Sequence, residues 1–202
     1  SKLLEILIEQ RTCVLFYDFI FNNHLGEKFS KKFLSKIKDF SNFFIVNNNE
    51  IFRTMFLISK ELQLKNIEHV FLKGPLLAEF YYEDHSLRPM RDLDILVKVQ
   101  DIKPLLDLLE SLNFSFLSRK GNKKEIEVSE SFSYGRSHQM PTLISPFNTL
   151  LEIHHRVTKK TDFPTCPLRD NTMKNSKTKL VNGRRINFPK PEDLFIHICE
   201  HS

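Results

Sequence analysis

Two aspartates stand two residues apart in Arg91-Asp92-Leu93-Asp94-Ile95-Leu96-Val97, at the head of an otherwise apolar run. On a strand both carboxylates point to one face, with Cα atoms roughly 7 Å apart. Acids on an apolar strand are costly unless solvated, paired or metal-bound. Two carboxylates from one strand suit Mg²⁺, a hard cation that takes oxygen ligands and phosphate oxygens together. On these residues alone an exposed strand edge is an equally good reading, because the pattern is short. A second run, Leu150-Leu151-Glu152-Ile153-His154, places Glu152 and His154 on one face and Leu151 and Ile153 on the other. Beside the first strand, Glu152 would complete a three-carboxylate cluster able to hold two metals. Taken alone, it is more simply a solvent-facing residue. His154 would orient Glu152 or act as a base. Three carboxylates so close repel one another, so the bare cluster is expected to destabilise the fold until a cation neutralises it.

Cationic residues surround the acids. Phe71-Leu72-Lys73-Gly74-Pro75 reads as a strand running into a tight turn and a helix start. A helix N-terminus offers N–H groups to an anion, and a glycine lets a phosphate come close. Lys73 adds a point charge. Arg88 and Arg91 flank the acidic strand and could take phosphate oxygens as bidentate donors, although Arg91 is equally well read as a structural partner of Asp92. His197 and His201 lie four apart with Cys199 between them. That spacing can bind Zn²⁺, but with no partnering cluster a structural role is much the better reading.

The elements that must position these residues follow from periodicity. Apolar residues recur at helical spacing from Leu3 to Ile20 and again from Phe29 to Phe44. The triplet Asn47-Asn48-Asn49 is expected to break the pattern and cap a further helix that runs to about Leu64. Strands are predicted over 69–72, 92–97 and 114–117, with helices over 75–82 and 101–112, the latter capped by Asp101. Two hairpins follow, over 142–154 around Pro146 and over 179–188 with Asn182-Gly183 as a two-residue turn. Pro191 opens a last helix over 192–201, and its uncapped apolar stripe implies a chain that continues past residue 202. Residues 119–135 are polar and resist assignment. Helices first, then alternating strands and helices, then hairpins, indicate an α+β fold: a mixed β-sheet flanked by helices, with a helical N-terminal region over 1–66 and the main domain over 67–202.

Composition excludes several classes. The 202 residues suit one domain, and the 41% hydrophobic and 27% charged content is that of an ordinary globular protein. Five dispersed glycines leave no GxGxxG fingerprint and no Walker A loop. Nineteen Phe and no Trp indicate a Phe-filled core. The longest apolar stretch, 14–21, is interrupted by Asp18 and is too short to span a bilayer. Three widely spaced Cys (Cys13, Cys166, Cys199) point to reduced thiols and a cytoplasmic setting. The net charge of +5 is a modest basic excess, and the Lys-rich 28–38 segment is best read as a solvated helix face.

The succession FLKGPLLAEFYYEDHSLRPMRDLDILV, then LLEIHHRV, then FPKPEDLFIHICEH, resembles the nucleotidyltransferase superfamily related to DNA polymerase β. More narrowly it is similar to a little-characterised bacterial branch with LKG, R…DxDhLV and ElH blocks. The resemblance covers roughly residues 65 to 202 and rests on the order and spacing of the blocks. It implies a mixed sheet with flanking helices, and transfer of a nucleoside monophosphate from an NTP to an acceptor hydroxyl with release of pyrophosphate. It implies Mg²⁺ or Mn²⁺ held by Asp92, Asp94 and Glu152, and phosphate held by Lys73, Gly74, Arg88 and Arg91. His154 would stand behind the metal ligands. The acceptor, whether protein, RNA or small molecule, is not specified. Pro75 stands where many members carry Ser. A second reading is therefore a catalytically degenerate nucleotide-binding or antitoxin-like interaction module on the same fold.

Overall fold

The computed structural model describes residues 2–117, 123–124, 137–157 and 167–200. The chain opens with three helices, α1 (Lys2–Glu9), α2 (Cys13–Asn22) and α3 (Lys31–Leu64). The Ser30 hydroxyl caps α3 by accepting from the Phe33 N–H at 3.3 Å. The first half of α3 packs with α1 and α2 around Leu4, Leu7, Cys13 and Ile37. Its second half buries Ile51, Met55, Ile58 and Leu62 in the main core.

The asparagine triplet does not break α3, which runs through it as one helix of 34 residues. Asparagine weakens a helix when its side chain competes for nearby backbone groups. Here the Asn47 and Asn48 side chains are spent elsewhere, on the carbonyls of a loop some forty residues away. The cap expected at Asp101 is also absent. Its backbone is already helical (φ −91°, ψ −5°) at the end of a 3₁₀ turn, and its side chain makes no cap bond.

Strand β1 (His69–Leu72) leads into α4 (Gly74–Tyr81). A 3₁₀ turn at His85–Leu87 then precedes β2 (Asp92–Val97), α5 (Ile102–Ser111), β3 (Ser115–Leu117), β4 (Lys123–Lys124), β5 (Leu143–Ile144) and β6 (Leu150–His154). These six strands form one sheet in the order β1-β2-β6-β5-β3-β4. β2 and β6 run parallel and every other pairing is antiparallel. The fold is therefore the expected α+β arrangement of a mixed sheet flanked by helices. Most of residues 119–135 lie outside the described residues.

The sheet sorts its side chains by strand alternation. Leu93, Ile95, Val97, Phe71, Leu151 and Ile153 point to the face covered by α3 and α5 and form the main core. Asp92, Asp94, Glu152 and His154 point to the other face, where Val70, Leu72 and Leu96 pack with Val157 and Met173 in a small second cluster. Met173 belongs to α6 (Pro167–Lys174). A hairpin of β7 (Lys177–Val181) and β8 (Arg184–Phe188) turns at Asn182 and Gly183. Both have positive φ, 48° and 74°, as a two-residue type I′ turn requires. Asn187 Nδ2 donates to the His69 carbonyl at 3.4 Å, so the hairpin stands against the outer strand β1. The last helix, α7 (Pro191–Glu200), opens at Pro191 as read from the sequence.

Candidate functional site

Register brings the acids together. On the parallel pair, Asp94 lies opposite Glu152 and Leu96 opposite His154, while on β1 Leu72 lies opposite Asp94. Asp92, two residues before Asp94, shares its face. The expected convergence of Asp92, Asp94 and Glu152 on one face is therefore what the strand geometry produces. Asp94 is 1% exposed, Asp92 and Glu152 are partly open, and His154 is fully buried.

Asp94 is the centre. His154 Nε2 donates to its Oδ1 at 2.7 Å, and Lys73 Nζ reaches the same oxygen at 3.3 Å. Burial acts to raise the Asp94 carboxyl. The His154 hydrogen bond, with the charges of His154 and Lys73, outweighs burial and holds it at about 2. Asp92 and Glu152 go the other way. Burial raises each of them, and the neighbouring Asp94 charge raises them further. The bare cluster is thus not uniformly repulsive, as the sequence suggested. One acid is held ionised by two donors, and the other two sit beside it as bases of increased proton affinity.

Behind this layer stands α7. His197 is fully buried, donates from Nδ1 to the Val157 carbonyl at 2.9 Å, and packs edge-on to His154 with ring centroids 5.6 Å apart. The structural reading of His197 therefore holds; His201 lies outside the described residues. Within those residues, one group of potential metal ligands is found: Asp94, Glu152 and His154, whose donor atoms lie within 4.8 Å of one another.

The cationic residues divide. Lys73 caps α4 with φ 45° and ψ −103°, a backbone conformation unusual for a non-glycine residue, and this turn aims its ammonium group at Asp94. Gly74 is buried. A Cβ there would come within 3.1 Å of Met90 Sδ and 3.7 Å of the Asp92 carbonyl, so the glycine lets α4 sit tight against the start of β2. Pro75 occupies the first turn of α4 and supplies no N–H. Arg88 is half-buried, and burial lowers its guanidinium while the charges of Tyr82, Asp92 and Asp94 act to raise it. Arg91 is exposed at the entrance to β2.

The sequence reading missed one residue that shapes the site. Asn48, fully buried in α3, donates from Nδ2 to the His85 and Arg88 carbonyls at 3.0 and 2.8 Å. Its Oδ1 accepts from the Met90 N–H at 3.1 Å. Asn47 Nδ2 adds a bond to the Met90 carbonyl at 2.7 Å. Residues 85–90, which deliver Arg88 and the start of β2, are thereby pinned to α3. A signal existed: Phe44, Asn48 and Phe52 share a helical stripe, and an amide there needs buried partners. A cavity of about 850 Å³ lies elsewhere, at the far end of β2 between Glu68, Lys98, Arg169 and Asp170. It touches none of the acids, and the carboxylate chemistry places the site at the other end of the strand.

A family described as "Uncharacterised nucleotidyltransferase" matches residues 1–202. The chain belongs to this family. The match takes in the helical first third, which the sequence blocks left out. Among solved structures, this nucleotidyltransferase-family chain is similar to the lincosamide antibiotic adenylyltransferase LnuA in its lincomycin-bound form. That likeness has 15% identity over 73% of this chain and 83% of that one, with a TM-score of 0.45. It is also similar to an antigenic nucleotidyltransferase-like protein from Paracoccidioides brasiliensis, with 19% identity over 72% of this chain and 63% of that one and a TM-score of 0.44. No curated protein matches. No helix among the described residues is long and apolar enough to cross a membrane.

Proposed function

We propose that this nucleotidyltransferase-family chain transfers a nucleoside monophosphate from an NTP to an acceptor hydroxyl, with a divalent cation held at Asp92, Asp94 and Glu152. The observation that carries the reading is the register of β2 on β6, which sets Asp94 beside Glu152 on the face shared with Asp92. The donor set fits Mg²⁺ or Mn²⁺, hard cations that take carboxylate oxygens: Asp92, Asp94 and Glu152 share one face, and the Lys73 and His154 contacts to Asp94 both fall on Oδ1. His154 is already committed to Asp94 and acts as its holder rather than as a ligand. A bound divalent cation neutralises phosphate charge and lowers the proton affinity of a bound hydroxyl.

The chain's own residues do the rest. Lys73 and the start of α4, with Arg88, hold the phosphate oxygens. His154 fixes the Asp94 rotamer. Glu152 takes the proton of the acceptor hydroxyl as that oxygen attacks the α-phosphorus. The α-phosphorus bond to the β-phosphate oxygen breaks, and pyrophosphate leaves with the electron pair. Against the degenerate reading stands the presence of all three acids on one face. Pro75 removes one N–H from the phosphate turn and leaves the acids untouched. Incubation with radiolabelled NTPs, Mg²⁺ and a panel of proteins, RNAs and small hydroxyl compounds tests the proposal. Label should pass to an acceptor with wild type and not with Asp94→Asn. A wild-type chain that neither binds nor consumes any NTP with Mg²⁺ or Mn²⁺ supports the degenerate module instead.

A further inference from the structure

Two donors meet on one oxygen of Asp94, and they differ in kind. His154 is fully buried, bonds Oδ1 at 2.7 Å, and has its ring packed edge-on against His197. Lys73 reaches the same Oδ1 at a longer 3.3 Å, and its side chain is 23% exposed. The backbone beneath it is fixed. Lys73 is the N-cap of α4, its carbonyl accepts the Leu77 N–H at 2.9 Å, and Gly74 is buried against Met90. Only the side chain is left to move, a compact point charge on a flexible four-carbon stem. One donor is built in, and the other is able to leave.

Three demands meet at the Lys73 ammonium group. The Asp94 carboxylate is buried and needs cationic partners. A divalent cation on Asp94 and Glu152 stands close to the ammonium and is repelled by it. Phosphate oxygens at the start of α4 offer the ammonium a second anionic partner. A cation arriving alone meets the Lys73 charge. A triphosphate arriving alone draws Lys73 away and leaves Asp94 with His154 only. With both present, every anion has a cation beside it.

We propose that Lys73 is an exchangeable counter-ion that couples the two ligands of this site: it stays on Asp94 until a triphosphate draws it off, and the divalent cation then takes its place beside the carboxylate. Cation and triphosphate each tighten the binding of the other, by the same factor. This rests on the cation reading above and adds to it that the site takes its cation with the nucleotide rather than before it.

Titration of the full chain with Mn²⁺, followed by the paramagnetic resonance of the free ion, reads the affinity for the cation alone. Calorimetry with inorganic tripolyphosphate in the presence of a chelator reads the affinity for a triphosphate alone, free of base preference and turnover. Lys73→Met keeps the stem and removes the charge, so its two affinities should move in opposite directions. Mn²⁺ should bind about tenfold more tightly than to wild type, within the usual range of coupling between sites. Tripolyphosphate should bind about tenfold more weakly, the loss of one charged phosphate contact. Lys73→Arg keeps the charge and should return Mn²⁺ affinity to the wild-type side. Arg88→Gln removes a guanidinium that bonds the Pro89 carbonyl at 3.5 Å. It should weaken tripolyphosphate binding and leave Mn²⁺ affinity as it was. A misfolded variant would lose Mn²⁺ binding, so unfolding cannot produce the rise expected of Lys73→Met. Mn²⁺ bound equally or more weakly by Lys73→Met than by wild type, or an equal gain in Arg88→Gln, would overturn this proposal and leave the cation reading standing. Mn²⁺ bound by neither wild type nor Lys73→Met would remove the cation reading and this proposal together.

Discussion

Lys73 carries two opposed demands. Its ammonium group meets Asp94, and its backbone is held at φ 45°, where an L residue is strained. Lys73→Ala keeps the strain and removes the charge. It should weaken NTP affinity roughly tenfold or more by calorimetry, since a charged contact to phosphate contributes about 1.5–3 kcal/mol. Lys73→Gly should lose the same affinity yet unfold at higher urea than Lys73→Ala, by about 1 kcal/mol, because glycine accepts this φ freely. Equal urea midpoints would show the turn to be unstrained. Asp94 makes the opposite pairing of stability and chemistry. Its carboxyl is lowered from 3.8 to about 2 in the fold, so its ionised form stabilises the fold above pH 3.8, and that stability is lost as pH falls towards 2. At neutral pH the shift corresponds to about 2 kcal/mol. Asp94→Asn should therefore destabilise the metal-free chain by about that amount, and should also lack the rise in melting temperature that the proposed cation and NTP binding predicts for wild type. The repulsion read from the sequence predicted no loss. It omitted His154 and Lys73, which reach Asp94 only through the fold.

Among the elements, α3 does most to place the site without touching it. Asn48→Ala should cost about 2–3 kcal/mol, because it strips partners from buried carbonyls and from the Met90 N–H. Hydrogen exchange should then accelerate across residues 85–90 while the first turns of α3 stay protected. Uniform exchange across the chain would assign Asn48 to global stability alone. This element also shows what the sequence discloses. The strand over 92–97 and the hairpin turn at Asn182-Gly183 were legible because alternation and φ > 0 chemistry are local. The pairing of Glu152 with Asp94 was legible only as a possibility, since register between strands joined by a long connection has no local signature. The asparagine triplet misled for the same reason. Its partners lie across the molecule, and the local rule for asparagine describes a residue without them.

Over the whole molecule, three buried histidines set an acid limit. His69, His155 and His197 are each lowered chiefly by burial, the last two to about 4. The folded state then binds fewer protons than the unfolded state between pH 6.5 and 4, so stability rises with pH across that window and drains away as pH falls through it. Urea midpoints measured from pH 7 to pH 4.5 should fall steadily, by on the order of a few kcal/mol in total. A flat profile over that range would mean that these imidazoles are solvated. The parallel pairing of β2 with β6 has a further consequence, in time rather than space. The two halves of the acid cluster are separated by more than fifty residues of chain, and the strand between His69 and Leu72 receives its hairpin cover only from residues 177–188. A nascent chain leaving the ribosome therefore holds half a site and an open sheet edge until residues 150–188 have emerged. Long-range pairing of this kind forms late and slowly. Cation affinity in a refolding experiment should accordingly appear with the final kinetic phase, after the helical signal of α1–α3 has already returned.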